Sequence, residues 1–442
     1  MIPIRSSAKA AARPGRVLGI AAALLVLAGC QSMAEPEIVE VPPPPPPEEV
    51  VVVPPPPEPV AEPANRVALL LPLSGQNERV GRSLANAAAM ALADTGSDAI
   101  ELRTYDTAGA GGAATAARRA IADGARLFLG PLLAENATAI RSIARAEAIP
   151  VLTFSNDSSV AGGGVYVLGF QPDQSIERVV AYARGQGVRD FAALVPEGVY
   201  GRRASQAFLD AVRDVGGRVT GLETYERRRS ALAGAARRLT DFDARAARAA
   251  EGGVVRRDGT VVNVEDRLPP VAFGALMIAD GGQIASEFLT SLDRFGAGPG
   301  EVRYLGTELW NADPRIAGVE GLRGSLFASV PDGRFRGLAN RFEQRFGGRP
   351  SRLASLAYDG VLIAVGFADQ WERGGRFPES ELRDPDGFVG IDGIFRFGPN
   401  GVAERGMEVQ RIGNGRTAVV SEAPTSFGAR VSMIGFVGLP AL

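Results

Sequence analysis

The chain has 442 residues, with 48 basic side chains against 50 acidic ones, one cysteine and no histidine. Its length provides for more than one domain, and 45% hydrophobic with 22% charged residues is typical of a globular protein. Without histidine, and with Lys9 as the only lysine, the chain lacks a Ser-His-Asp triad, a Schiff-base lysine and imidazole metal ligands. We therefore expect a binding role without catalysis, metal or cofactor.

Residues 1–29 are predicted to form a lipoprotein signal peptide. Basic residues precede an apolar run at 17–28, which is shorter than the roughly 20 residues that span a bilayer. The run ends in Leu-Ala-Gly-Cys, which resembles the lipobox of bacterial lipoproteins and makes Cys30 the predicted lipidation site. The alternative is an ordinary signal peptide with Cys30 as a stray thiol. The residue after it is Gln31 and not Asp, so the resemblance implies the periplasmic face of the outer membrane.

Residues 30–65 are predicted to form a tether. The stretch 31–65 holds 13 prolines and seven glutamates and no basic residue. Proline fixes φ and removes a backbone donor, so the runs 42–47 and 54–57 favour polyproline II. At ~3.1 Å per residue the segment would reach about 110 Å. The alternative is that the proline runs dock into an aromatic groove of a partner.

From Arg66 onward, short apolar runs alternate with segments of helical periodicity. This alternation predicts an α/β fold with parallel strands and helical crossovers. The series is too long for one sheet, so we expect two lobes and a C-terminal tail: 66–168 with 331–385, 169–330 with 386–420, and 421–442. Residues 66–442 carry 44 arginines and 43 acidic residues, and this near-neutral balance does not indicate a nucleic-acid partner.

Several segments of the body match a known family in order and spacing. They are ALLLPLSG (68–75), GPLL (130–133), PVLTFSND (150–157), YVLGFQPD (166–173), LVPEGVYGRRASQAFLDAVRDVGG (194–217), RYLGTELW (303–310) and LASLAYDGVLIA (353–364). With these segments the chain resembles the type I periplasmic binding proteins, the leucine/isoleucine/valine-binding class. The resemblance implies two Rossmann-like lobes joined by hinge strands, with a ligand cleft between them.

Within that class, one branch is the most similar. The cysteine motif, the tether, RRLTDFDARAA (237–247) and LPPVAFGALMIADGG (268–282) resemble the penicillin-binding-protein activator lipoproteins of the LppC type. The resemblance implies a non-enzymatic activator of a class A penicillin-binding protein. It does not extend to the N-terminal helical-repeat domain of other members, because this chain has a tether there. The alternatives are an amino-acid receptor of an ABC transporter and a carboxylate-only glycan hydrolase.

Two turns contain candidate ligand-binding residues. Ser74 and Gly75 precede the first predicted helix, where free N–H groups favour an anion such as a carboxylate. The alternative is that Ser74 caps this helix. The resemblance implies that Ser155 and Asn156 hold the carboxylate of an amino-acid-like ligand, whereas the alternative is ordinary turn chemistry.

Further candidates belong to the second predicted lobe. The resemblance implies that Glu308 pairs with a ligand ammonium, and the alternative is a solvated loop carboxylate. Tyr200 is expected to face the cleft or to be buried in the core. Asp280 follows another predicted strand, and the same two alternatives apply to it as to Glu308. Trp310 is expected to be either a lid aromatic or a hinge packing residue.

Overall fold

The computed structural model describes residues 64–251 and 268–427. The predicted signal peptide, Cys30, the predicted tether up to residue 63 and most of the predicted tail lie outside the described residues, whereas Asn65, predicted to end the tether, is the first residue of a strand. Within the described ranges the chain has the expected α/β fold, with two separate sheets whose core strands are parallel. None of the helices in these ranges is long and apolar enough to cross a bilayer.

The first lobe is built on a five-stranded parallel sheet in the order β2-β1-β3-β4-β5. Its strands are β1 (Asn65–Leu71), β2 (Ile100–Asp106), β3 (Ala125–Leu129), β4 (Val151–Thr153) and β5 (Val165–Val167). Its helices are α1 (Glu78–Thr95), α2 (Gly112–Ala122) and α3 (Ala134–Ala146). The interior strand β1 is almost wholly apolar and buried, because helices cover both faces of the sheet.

The second lobe repeats this alternation around a second sheet. Its parallel strands are β6 (Asp190–Pro196), β7 (Arg218–Tyr225), β8 (Ala275–Ile278), β9 (Arg303–Gly306) and β10 (Leu326–Ser329). Its helices are α4 (Pro172–Gly185), α5 (Val199–Asp214), α6 (Arg229–Leu239), α7 (Phe242–Glu251) and α8 (Gly282–Arg294). Separate apolar clusters lie on the two faces of this sheet.

After β10 the chain returns to the first lobe. The returning elements are α9 (Gly333–Phe346), α10 (Ala354–Gly366), β11 (Phe388–Gly390), β12 (Gly393–Phe397) and β13 (Ala403–Arg405). Side chains of both helices and of the antiparallel β11–β13 sheet join the core that covers one face of the first sheet. The late helices α9 and α10 therefore cover the sheet of the first lobe.

The last strands correct one boundary. β14 (Glu408–Ile412) and β15 (Thr417–Ser421) are antiparallel additions to the second sheet, whose order is β15-β14-β10-β9-β8-β6-β7. Sequence analysis placed all of 386–420 in the second lobe, but Phe388 and Phe395 pack in the core of the first lobe. Their burial depends on which distant surface they cover, and strand periodicity does not encode that choice.

The chain crosses between the lobes three times, at residues 168–171, 330–332 and 406–407. Phe170, in the first crossover, lies close to two arginines. The Cζ atom of Arg352 is 5.2 Å from the centroid of its ring, and that of Arg405 is 5.1 Å away. Arg405 Nη2 also donates a hydrogen bond of 2.7 Å to the carbonyl oxygen of Leu168. The first crossover is therefore directly linked to the last residue of β13, which precedes the third crossover.

Two buried carboxyls complete a hinge cluster made up of Phe170, Arg352, Asp359, Asp392 and Arg405. Asp359 is 1% exposed and Asp392 is 0% exposed. Asp392 forms an ion pair with Arg352, with Nη2 and Oδ1 2.8 Å apart, while Asp359 Oδ1 accepts a 2.8 Å hydrogen bond from the backbone N–H of Ile391. Attraction between the two carboxyls and the guanidinium groups of Arg352 and Arg405 offsets part of the free-energy cost of removing these charges from water.

Candidate functional site

The predicted site residues lie where strands of the two parallel sheets end. Ser74 and Gly75 follow β1, Ser155 and Asn156 follow β4, and Tyr200 lies in the first turn of α5 after β6. Asp280 follows β8 and Glu308 follows β9. The carboxyl ends of parallel strands are the usual location of ligand sites in α/β folds. The structure nevertheless brings only some of these side chains into contact.

Glu308 and Tyr200 form one group with a serine that sequence reasoning missed. Ser175, in α4, donates a 2.6 Å hydrogen bond to Glu308 Oε2, and the Tyr200 hydroxyl donates to Oε1 at 3.3 Å. The Tyr200 hydroxyl also lies 3.0 Å from Oγ1 of Thr307. Both oxygens of the Glu308 carboxyl therefore already have donors from the protein itself.

Burial controls the ionisation of this group. Glu308 keeps some exposed surface, but its carboxyl group is buried, and this burial raises the pKa of the carboxyl above its ordinary value. The hydrogen bonds from Ser175 and Tyr200 act in the opposite direction and lower the pKa by less than burial raises it. Burial and the adjacent Glu308 charge together raise the pKa of Tyr200. Burial that raises the pKa of a carboxyl also disfavours its charged form, the form that would pair with a ligand ammonium.

The turn after β4, in the first lobe, makes side-chain contacts with the second lobe. Ser155 is 3% exposed, and its hydroxyl accepts a 3.0 Å hydrogen bond from the backbone N–H of Asp157. The exposed Asn156 accepts a 3.1 Å hydrogen bond at its backbone oxygen from Nη1 of Arg203, which lies in α5 of the second lobe. Arg203 also forms an ion pair with Asp157. Sequence reasoning missed Asp157 and Arg203, because neither belongs to a local pattern that separates them from surface charges.

The electrostatics of Asp157 agree with this bridge. Burial alone would raise the pKa of the Asp157 carboxyl, but hydrogen bonds from Ser159 and Arg203 outweigh burial, and the pKa is lowered. The carboxylate is therefore charged at neutral pH and attracts the guanidinium of Arg203. Because Arg203 lies one helical turn after Tyr200, the bridge lies next to the Glu308 group.

Ser74 is used within the first lobe. Its hydroxyl donates a 2.7 Å hydrogen bond to Oδ2 of Asp106, whose Oδ1 accepts from the backbone N–H of Leu73 at 2.8 Å. Burial would raise the pKa of Asp106, but these hydrogen bonds and one from the Ala108 N–H lower it overall. Ser74 is not the cap of α1, whose N-cap residue is Asn77.

Gly75 follows in the same turn, with a left-handed φ of 72° and an exposed backbone. Space around it is open, since a Cβ there would meet no atom within 4 Å. The backbone conformation, and not crowding, therefore favours glycine at this turn.

Asp280 and Trp310 lie inside the second lobe. Asp280 is 5% exposed and accepts 2.8 Å hydrogen bonds from the Tyr225 hydroxyl and from Nε of Arg227. Trp310 is fully buried, and its Nε1 donates to the backbone oxygen of Asp280 at 3.0 Å. Trp310 is therefore a packing residue and not a lid. Over the described ranges no group of three or more acidic or cysteine side chains is arranged to hold a metal ion.

Comparison with known proteins agrees with this architecture. A family model described as periplasmic binding protein matches residues 65–416. The leucine binding protein LivK of Thermotoga maritima is 20% identical with a TM-score of 0.53, over 81% of this chain and 99% of that one. Full-length LpoA of Haemophilus influenzae is 18% identical with a TM-score of 0.57, over 82% of this chain and 59% of that one. An uncharacterized protein of Rickettsia prowazekii is 27% identical over 175 residues, which are 40% of this chain and 47% of that relative.

Proposed function

Because the chain belongs to the periplasmic binding protein family, we propose that it is a non-enzymatic binding module that activates a class A penicillin-binding protein. In this proposal the lipid on Cys30 anchors the module to the periplasmic face of the outer membrane. The proline-rich tether of 30–65 carries the two lobes toward a synthase in the inner membrane. The match to LpoA supports this reading, since it extends over 82% of this chain and 59% of LpoA.

One observation carries the proposal: the polar groups that would hold a free amino acid already have hydrogen-bond partners within the protein. The Glu308 carboxyl receives hydrogen bonds from Ser175 and Tyr200, and the Ser155 hydroxyl receives one from the backbone of its own turn. A ligand would compete with these bonds for the same oxygens, and each hydrogen bond lost costs about 0.5–1.5 kcal/mol. Such a cleft favours a module that works through its outer surface.

Reconstitution with purified components tests the proposal. The full-length chain in detergent is added to the class A penicillin-binding protein of the same cell, and the rate of glycan polymerisation from lipid-linked precursor is measured. We expect at least a severalfold increase in rate and co-purification of the two proteins. A soluble amino-acid receptor of the same fold serves as the matched control. An unchanged rate together with no co-purification would refute the proposal.

An amino-acid receptor of an ABC transporter is the second candidate, and the position of Ser155 and Glu308 at strand ends favours it. Ligand binding stabilises the folded state by mass action. If the chain is a receptor, leucine or a relative raises the melting temperature by several degrees, and Ser155→Ala and Glu308→Ala abolish the increase. A flat response to the twenty amino acids excludes this role and leaves the activator proposal untouched.

A further inference from the structure

A cavity lies between the lobes, and Trp310 is the one candidate residue described above that lines it. It has a volume of about 370 Å³, within the range of small-molecule sites. Its walls are α9, the segment that follows β9, and the turn between β14 and β15. Trp310, Ile316 and Phe327, all buried, contribute apolar surface to its lining. The cavity therefore combines an apolar base with a rim from both lobes.

Arginines dominate the rim of this cavity. Arg336 is the fourth residue of α9, and Arg416 lies in the turn between β14 and β15. Both are exposed, and within residues 64–251 and 268–427 neither side chain forms a hydrogen bond or an ion pair, although the charge of Arg336 acts on the buried carboxyl of Glu408. Arg349 also lines the cavity and has only a long contact of 3.9 Å, from its Nε to Oε2 of Glu343. Guanidinium groups that lack close partners can donate hydrogen bonds to the oxygens of a bound carboxylate or phosphate.

The carboxylates of the lining do not neutralise these arginines. Asp313 pairs with Arg315, whose Nε lies 3.0 Å from its Oδ1. Asp332 accepts a 2.8 Å hydrogen bond from Asn311 and lies 3.5 Å from Nη2 of Arg352. Each acidic side chain of the cavity is thus committed to another partner. The rim keeps an excess of positive charge, to which the N-terminus of α9, at Gly333, adds the positive end of a helix dipole.

We propose that this cavity binds a small dianion, held by Arg336 from one lobe and Arg416 from the other. The shared chemistry is two negative charges on a small molecule, as in a dicarboxylate or a phosphate. α9 packs in the core of the first lobe, while the β14–β15 turn belongs to the second sheet, so the bound ligand bridges the lobes. Arg352 lines the same cavity and also contacts Phe170 in the first crossover, so a ligand in the cavity would lie next to the hinge cluster. This site does not depend on synthase activation.

Isothermal titration calorimetry on the full-length chain in detergent tests this site. Succinate and inorganic phosphate are the dianionic probes, acetate is the monoanion, and ionic strength is constant. We expect binding of at least one dianion, with acetate at least about tenfold weaker because it can satisfy only one guanidinium. The stronger of the two dianions identifies the ligand as a carboxylic acid or a phosphate.

Single substitutions locate the binding. We expect Arg336→Ala and Arg416→Ala each to weaken dianion binding by about tenfold or more, the loss of one charge-assisted hydrogen bond. Arg118→Ala, at an exposed position of α2, is the matched control and should bind like the wild type. No binding of either dianion, or binding that both rim variants retain within about twofold, would overturn the proposal.

Discussion

The stability of this protein should depend on pH through Asp359 in the hinge cluster. Burial, followed by the charge of Asp392, raises the pKa of Asp359 from its ordinary value of 3.8 to about 7. The native state therefore binds more protons than the unfolded chain between these two values. The free energy of unfolding falls as pH rises through this interval. At 1.36 kcal/mol per pKa unit, the loss due to Asp359 is at most about 4 kcal/mol.

Asp359→Asn isolates this effect. The amide keeps an oxygen that can accept from the N–H of Ile391, but it does not ionise. We expect urea unfolding at a series of pH values to give a flatter stability profile for the variant between about pH 4 and pH 7. Some slope should remain, because burial also raises the pKa of Glu408 to about 7. Asp369→Asn, at an exposed position, should follow the wild type. An Asp359→Asn profile as steep as that of the wild type would refute the reasoning.

Three further predictions concern packing, lobe closure and anchoring. A Cβ at Gly201 would lie 1.5 Å from the backbone oxygen of Pro196, so Gly201→Ala should lower the free energy of unfolding in urea by several kcal/mol. At Gly234, in α6, a Cβ would meet no atom closer than 3.6 Å, so Gly234→Ala should raise the free energy of unfolding by about 0.5–1 kcal/mol. Equal effects of the two substitutions would contradict the geometry. Arg203→Ala removes the bridge between the lobes, so we expect a larger radius of gyration by X-ray scattering and a free energy of unfolding lower by up to about 1 kcal/mol. The control Arg202→Ala, at the exposed neighbouring position, should behave like the wild type. A wild-type scattering profile for both variants would count against the bridge. Cys30→Ala should release the protein into the soluble periplasmic fraction, and retention in the membrane fraction would rule out the lipid anchor.

The candidate site was partly accessible from sequence. Tyr200 and Glu308 were both singled out, and the structure places them in contact although they are 108 positions apart. Ser175, Asp157 and Arg203 were not singled out. Serine, aspartate and arginine are common on helix starts and surfaces, so their residue types give no local signal of a shared site. Packing within the second lobe brings Ser175 to Glu308, and only the meeting of the two lobes brings Arg203 to Asp157.

The alternation of buried strands and amphipathic helices was determined by the sequence itself. Side-chain periodicity reports which face of one element is buried, and this local property was enough to predict an α/β fold with two parallel sheets. The division of 386–420 between the lobes was decided only by tertiary structure, as was the meeting of Arg352 and Arg405 around Phe170. Periodicity does not state which distant surface covers a buried face, since that depends on packing among elements far apart in the chain.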